Sequence, residues 1–210
     1  MRLVLASTSP RRRELLALLN VHFEVRPPLC DESIVPKRSA GDLAADFSRA
    51  KAYAVADQDR EALVLASDTL IECDDTPLGK PRDLAEARAM LRRLAGRAHA
   101  VKTAVTAVCR ERQFDETDVA TAHVWMKPFD ESAHERYLAT EDSLGKAGAY
   151  SIQGPGADLI ERLDGDFTAV VGFPLRVVAR LLARCGVTVP VDLESLYVRK
   201  PYDNWSRFSG

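Results

Sequence analysis

The sequence predicts an α/β protein with a mixed sheet. Three observations predict it. Short apolar runs alternate with segments whose apolar residues repeat at helical spacing. Residues 99–109 and 117–127 read as the arms of a long antiparallel hairpin, and residues 157–163 and 167–171 read as a second strand pair around Asp164-Gly165-Asp166. No repeat, linker or low-complexity stretch interrupts the 210 residues, a length that buries a core without cross-links.

The elements follow in order. The first strand is residues 2–6 (RLVLA). Ser7-Thr8-Ser9 leads to Pro10, a favoured first helical residue with Ser9 as its cap. Leu15, Leu16, Leu18 and Leu19 give that helix its buried face to about Asn20. A strand is expected at 22–26, and the proline-containing stretch 27–39 reads as a loop. Leu43, Phe47, Ala50 and Ala54 mark a helix over about 42–56. Residues 63–73 (LVLASDTLIEC) read as two extended runs interrupted at Ser67-Asp68-Thr69, and 77–81 (PLGKP) as a loop. Asp83 with Glu86 three residues on is a capping box, opening a helix that Gly96 stops. Asp130 caps a helix to about Ala139, a Gly-rich loop spans 145–156, and Pro174 opens the last expected helix. We divide the chain into a main domain, 1–189, and a tail, 190–210. Tyr197, Tyr202, Trp205 and Phe208 make the tail too apolar to be free, so it is expected to pack on the body or on a partner.

Composition narrows the class. The formal net charge is −2, which gives no support to bulk binding of nucleic acid or of anionic membrane, although a local basic pocket stays open. No apolar run reaches the ~18 residues of a membrane span. The apolar run in MRLVLASTSPRRR is shorter than the ~7–15 residues of a secretory segment. The cysteines, at 30, 73, 109 and 185, lack zinc-type spacing. A cytoplasmic location with reduced thiols is expected.

Several residues sit where stability alone would not put them. Arg11, Arg12 and Arg13 occupy the first turn of a helix, whose end is already positive; each cation there is unfavourable by roughly 0.3–1 kcal/mol. A bound phosphate reverses the sign, because helix N–H groups and guanidinium forks then converge on it. Ser7, Thr8 and Ser9 add hydroxyls. The alternative is a plain helix with solvated arginines. Asp68 follows an apolar run, at an expected strand end, where ligands of α/β sheets gather; it is a metal ligand, a general base or a turn residue. Lys51 falls at the edge of a buried helical stripe and snorkels to water if it has no other task. Lys80, Lys146, Glu32 and Gln153 lie on loops, where the default is a solvated or turn role. No G-x-S-x-G, H-E-x-x-H or G-x-x-x-x-G-K-[ST] motif is present. The residues alone yield an anion site with one or two carboxylates.

Leu5-Ala6-Ser7-Thr8-Ser9-Pro10-Arg11-Arg12 resembles the opening signature of the Maf-like nucleoside triphosphate pyrophosphatases. Asp31-Glu32, Ala50-Lys51-Ala52, Ser67-Asp68-Thr69, Gly79-Lys80-Pro81-Arg82, Lys146-Ala147-Gly148-Ala149-Tyr150 and Ile152-Gln153-Gly154 resemble further motifs of that family, in its order. Val171-Gly172-Phe173-Pro174-Leu175 resembles its closing motif, with Phe173 in place of an expected Leu. The resemblance covers about residues 2–185 and implies an elongated mixed sheet with flanking helices, two lobes around a cleft, similar to inosine triphosphate pyrophosphatases. It implies hydrolysis of a nucleoside triphosphate to the monophosphate and pyrophosphate with a divalent metal, Mg²⁺ or Mn²⁺. Glu32 and Asp68 would hold the metal, Asp68 would accept the proton of water, and Ser7, Arg11, Arg12, Lys51, Lys80 and Lys146 would bind the triphosphate. Base choice would follow Arg11, Thr69 and Gln153, which match the branch acting on dTTP and UTP. The branch acting on 7-methyl-GTP resembles Trp, Gln and Glu there. The resemblance also implies a homodimer, and a link with septum formation leaves a nucleotide-binding regulator as the alternative to an enzyme.

Overall fold

The computed structural model describes residues 1–30 and 38–208. Its centre is a seven-stranded mixed sheet. The strands are β1 (Leu3–Ala6), β2 (Glu24–Arg26), β3 (Leu63–Cys73), β4 (Thr76–Leu78), β5 (Ala98–Cys109), β6 (Phe114–Met126) and β7 (Ile160–Asp164). Their order is β2-β1-β3-β5-β6-β7, with β4 added on β3. β1 runs parallel to β2 and β3, and every other pairing is antiparallel. The helices are α1 (Pro10–Ala17), α2 (Ala40–Ala56), α3 (Leu84–Leu94), α4 (Glu131–Leu138), α5 (Phe167–Val171), α6 (Leu175–Arg184) and α7 (Leu193–Arg199).

Alternation along β3 sorts its side chains between two layers. Leu63, Leu65, Ile71 and Cys73 join the large core that includes Leu15, Leu91, Phe167 and Leu182. Val64 and Ala66 join the smaller core with Ala52 and Val55 of α2, and Leu70 packs with Leu43 and Phe47 of the same helix. α2 thus covers one face of the sheet, while α1, α5 and α6 contribute to the core on the other.

The structure corrects four local expectations. β3 is continuous through Ser67-Asp68-Thr69, because its ladder with β5 runs unbroken from Val64 opposite Val108 to Glu72 opposite Ala100. Asp68 is therefore mid-strand. The stretch 77–81 is not wholly loop, since Thr76–Leu78 pairs with the end of β3. Residues 167–171 form a helix, not a strand. The β-branched run reads as extended, but the Asp166 carboxylate accepts from Thr168 N at 2.8 Å and from Thr168 Oγ1 at 2.7 Å, a cap that starts a turn. Gly172 ends the turn at φ 111°, in the left-handed region. The helix after Pro174 is not the last, because Asp192 caps α7 by accepting from Glu194 N and Ser195 N.

The other edge of β3 carries the feature that matters most. β1 pairs with it only as far as Ala66, and β4 resumes at Ile71. Among the described residues, 67–70 have no strand on that edge. The gap is a notch in the sheet with Asp68 and Thr69 in it.

The tail packs on the body. The Trp205 ring stacks on Phe167 with centroids 5.5 Å apart and meets Tyr197 edge-on at 4.9 Å. Leu196, Trp205 and Phe208 are buried. Among the described residues no helix is long and apolar enough to cross a membrane.

Candidate active site

The chain leaves β1 through residues 7–9 and enters α1 beside the notch. Ser7 is buried, and its Oγ accepts from Ser9 N at 3.1 Å. Ser9 holds the cap position of α1 but makes no side-chain cap hydrogen bond, contrary to the expectation. No acidic residue stands in the first turn. The Arg12 guanidinium is fixed: Nε donates to Gly172 O at 3.0 Å, and Ser67 Oγ donates to the same oxygen at 2.9 Å. This carbonyl, which the sequence marks only as part of the Val171–Leu175 motif, joins α1, β3 and the end of α5. A Cβ on Gly172 would lie 3.2 Å from Thr69 Oγ1, so a side chain there would crowd the notch as well as strain the backbone.

Alternation sends Asp68 to the α2 face and Thr69 to the other. Asp68 meets Lys51 in an ion pair whose side chains are only 5% and 6% exposed. Lys51 therefore belongs to the buried stripe of α2 and does not snorkel to water, because the Asp68 carboxylate holds its ammonium inside. Thr69 exchanges a hydrogen bond with Thr103 at 3.0 Å.

Two loops complete the cleft. Gly148 N donates to Gly79 O at 2.9 Å, which ties the loop of Lys146 to that of Lys80. Lys146 donates to Asp142 Oδ1 at 2.8 Å. The following turn is tight, because a Cβ on Gly156 would lie 2.4 Å from Ser151 O. The resulting cleft, about 380 Å³, is lined by Ser7, Arg11, Arg12, Lys51, Asp68, Thr69, Lys80 and Lys146, among others. Gln153 is not in that lining, although its neighbours Ser151 and Ile152 are. It stands near Arg11 across Tyr202. Its Oε1 is buried without a hydrogen-bond partner among the described residues. Glu32 lies outside the described residues.

Tyr150, also in the lining, stands out in the sequence only as the end of the Lys146–Tyr150 motif. Its hydroxyl lies 2.7 Å from Nε2 of buried His99. Burial, with a smaller contribution from His123, lowers the His99 pKa to about 4, so the ring is neutral at pH 7. Since the unfolded chain binds this proton near the ordinary 6.5, the unfolded state holds more protons between those values. Stability from this site is present above about pH 6.5 and is lost as pH falls towards 4. Thermal midpoints measured from pH 7 to 4 are expected to fall, and His99→Asn to fall less steeply. Equal slopes in both proteins would remove His99 from the effect.

Among the described lining residues, five cationic side chains face one carboxylate, in a chain whose net charge is −2. A mixed α/β sheet with a cationic cleft set at a gap in its central strand defines a ligand-binding α/β protein. The chain belongs to the Maf-like protein family, whose profile matches residues 2–185. It is 44% identical over 188 residues to the dTTP/UTP pyrophosphatase of Moorella thermoacetica, covering 90% of this chain and 97% of that one. It is 41% identical to the dTTP/UTP pyrophosphatase of Bacillus velezensis, covering 86% and 95%, and 42% identical to that of Vibrio cholerae, covering 86% and 96%.

Proposed function

We propose that this protein is a nucleoside triphosphate pyrophosphatase that hydrolyses dTTP and UTP, and pyrimidine triphosphates modified at C5, to the monophosphate and pyrophosphate. The observation that carries the reading is one cleft whose lining joins a buried carboxylate, Asp68, with Arg11, Arg12, Lys51, Lys80 and Lys146. A triphosphate needs that charge, and phosphoryl chemistry asks a protein mainly for positioning and charge stabilisation. Ser7, Arg11, Arg12, Lys80 and Lys146 bind the phosphates. Asp68 takes a proton from the attacking water while the bridging oxygen leaves with its bonding electrons. Lys51 compensates the charge that Asp68 brings into the interior.

No group of three or more metal-ligating side chains is assembled among the described residues. The donor set nevertheless fits Mg²⁺ or Mn²⁺ arriving with the substrate, since Mg²⁺ is commonly held by one or two carboxylates plus substrate phosphates. Asp68 would hold it, with Glu32 as the second ligand that the family resemblance implies. The ion would neutralise charge on the phosphates.

Arg11, Thr69 and Gln153 set the base preference. A Gln amide offers both a donor and an acceptor, matching the O4 and N3–H edge of uracil or thymine. A Glu would accept only, suiting guanine donors, and Arg11 would repel a methylated, cationic purine that Trp could stack on. The same reading includes a cytoplasmic homodimer. Because Trp205 and Phe208 are buried on their own body, its interface would use another face; light scattering of the purified chain tests the dimer.

A panel of canonical and modified triphosphates, with pyrophosphate and monophosphate as readouts, tests the function. dTTP and UTP are expected to be cleaved well above ATP, GTP and 7-methyl-GTP, by up to ~10⁴-fold where a buried polar group would be left unpaired. Gln153→Glu is expected to lower pyrimidine turnover more than the thermal midpoint. Equal kcat/KM for UTP and 7-methyl-GTP would remove the pyrimidine assignment. Binding without pyrophosphate release would leave a regulator.

A further inference from the structure

The family match ends at residue 185, yet the chain continues across the body to the loop of Ile152 and Gly154, beside the cleft. Two side chains of this tail touch the elements that carry Gln153 and Arg11. Asn204 Nδ2 donates to Ile152 O at 3.2 Å and reaches Gly154 O at 3.5 Å, the carbonyls on either side of Gln153. Tyr202 donates its hydroxyl proton to Glu14, one turn beyond Arg11 on α1. The phenol is half-buried, and burial together with the Glu14 hydrogen bond raises its pKa to about 12, while the Gln153 amide and the Arg11 guanidinium beside it act the other way. The tail is anchored elsewhere: Trp205 stacks on Phe167, and Arg207 pairs with Asp158 at 2.9 Å. Trp205 and Arg207 hold the tail to the body apart from Asn204, and the Tyr202 ring adds to the packing on the same core.

We infer that the C-terminal tail is a specificity element of this cleft, in which Asn204 and Tyr202 are positioning residues that set Gln153 and Arg11 against the base of the nucleotide. The inference rests on the proposed reading of Gln153 and Arg11 as base-selecting. Asn204 straddles the peptide units of Gln153 and so limits where the amide can point. Tyr202 spans from the Gln153 loop to α1 and fixes the separation of the two side chains. Asn204 touches none of the phosphate-binding cations and neither touches Asp68 in the contacts described, while Tyr202 meets only Arg11, the cation also read as base-selecting, so both act on base selection more than on the chemical step. Because residues 200–208 lie beyond the family match, base preference is set in part outside the region that defines the family.

The test compares the full-length wild-type protein with Asn204→Gly and Tyr202→Phe. Glycine accommodates the left-handed backbone at Asn204, φ 63°, while removing the donor. For each protein kcat and KM are measured with UTP and with ATP, together with the thermal midpoint. A misplaced recognition group costs on the order of tenfold or more, so the ratio of kcat/KM for UTP over ATP is expected to fall about tenfold, chiefly through KM for UTP. A purely structural role would lower the midpoint and reduce both substrates in proportion. That result, or a ratio within about twofold of wild type in both variants, overturns the inference. Should Asn204→Gly fail to fold, Tyr202→Phe decides alone. Wild-type protein that releases no pyrophosphate from any triphosphate would sink the pyrophosphatase reading instead. The inference is then decided by equilibrium binding of UTP and ATP to the same proteins, and an unchanged affinity ratio overturns it.

Discussion

Replacing Asp68 by Asn is expected to lower kcat on dTTP and UTP by about 10²–10⁴-fold, the usual cost of losing a general base. The amide keeps the shape and an acceptor oxygen but can neither take a proton from water nor offer a charged ligand to a metal. Asp68 is the sole carboxylate among the described lining residues, so no neighbouring acid stands ready to substitute. The loss should appear equally in kcat and kcat/KM, because the interaction belongs to the transition state. A variant that keeps more than about a tenth of wild-type kcat would show that the proton goes elsewhere. The folded protein is expected to suffer as well, since a neutral amide in place of the carboxylate removes one charged partner of the buried Lys51 ammonium. Activity must therefore be measured below the variant's own thermal midpoint.

The second large effect is on stability. Lys51→Met is expected to destabilise the fold by about 3–5 kcal/mol, because it strands the Asp68 carboxylate in a nearly dry site. The sequence alone suggests a lysine that snorkels to water; the buried pair changes that expectation. Replacing both partners, Lys51→Met with Asp68→Leu, should recover most of the stability while leaving no activity, since apolar residues often replace a buried pair without loss. Urea unfolding of the two single variants and the double variant forms a cycle. Additive losses would show that the two charges do not depend on one another. On the proposed reading the pair serves function at the expense of robustness, as functional sites commonly do.

The legible part of this protein was local. The strand–turn–helix at residues 3–17, the helices capped by Asp83 and Asp130, and the long hairpin of β5 and β6 are written in neighbouring residues, and each formed with small shifts of boundary. Glu86 N donates to Asp83 as a capping box requires, but the Glu86 carboxylate turns to Arg82, whose longer reach competes for it. The arginines of α1 were conspicuous because they oppose the helix dipole, a rule that needs no tertiary knowledge. The motif set around Ser7, Lys51, Asp68, Lys80, Lys146 and Gln153 named the family before any contact was known.

What the chain does with those residues depended on partners distant in sequence. Asp68 looked like a strand end because polar residues interrupt an apolar run; the β5 ladder holds it mid-strand, and it is reachable only because β1 stops at Ala66 and β4 begins at Ile71. α5 reads as a strand because β-branched residues favour one, until the Asp166 cap and Gly172 decide otherwise. The tail advertised its aromatics without saying which surface would bury them. By itself the sequence determined most of the elements, the family and the chemical types available to the site, because caps, periodicity and motifs act over a few residues. Only the tertiary structure decided that Lys51 neutralises Asp68, that Gly172 anchors Arg12, and that Asn204 grips the loop of Gln153. Those are pairings across 17, 160 and 52 positions. Their partners are chosen by strand register and layer packing, which no local signal specifies.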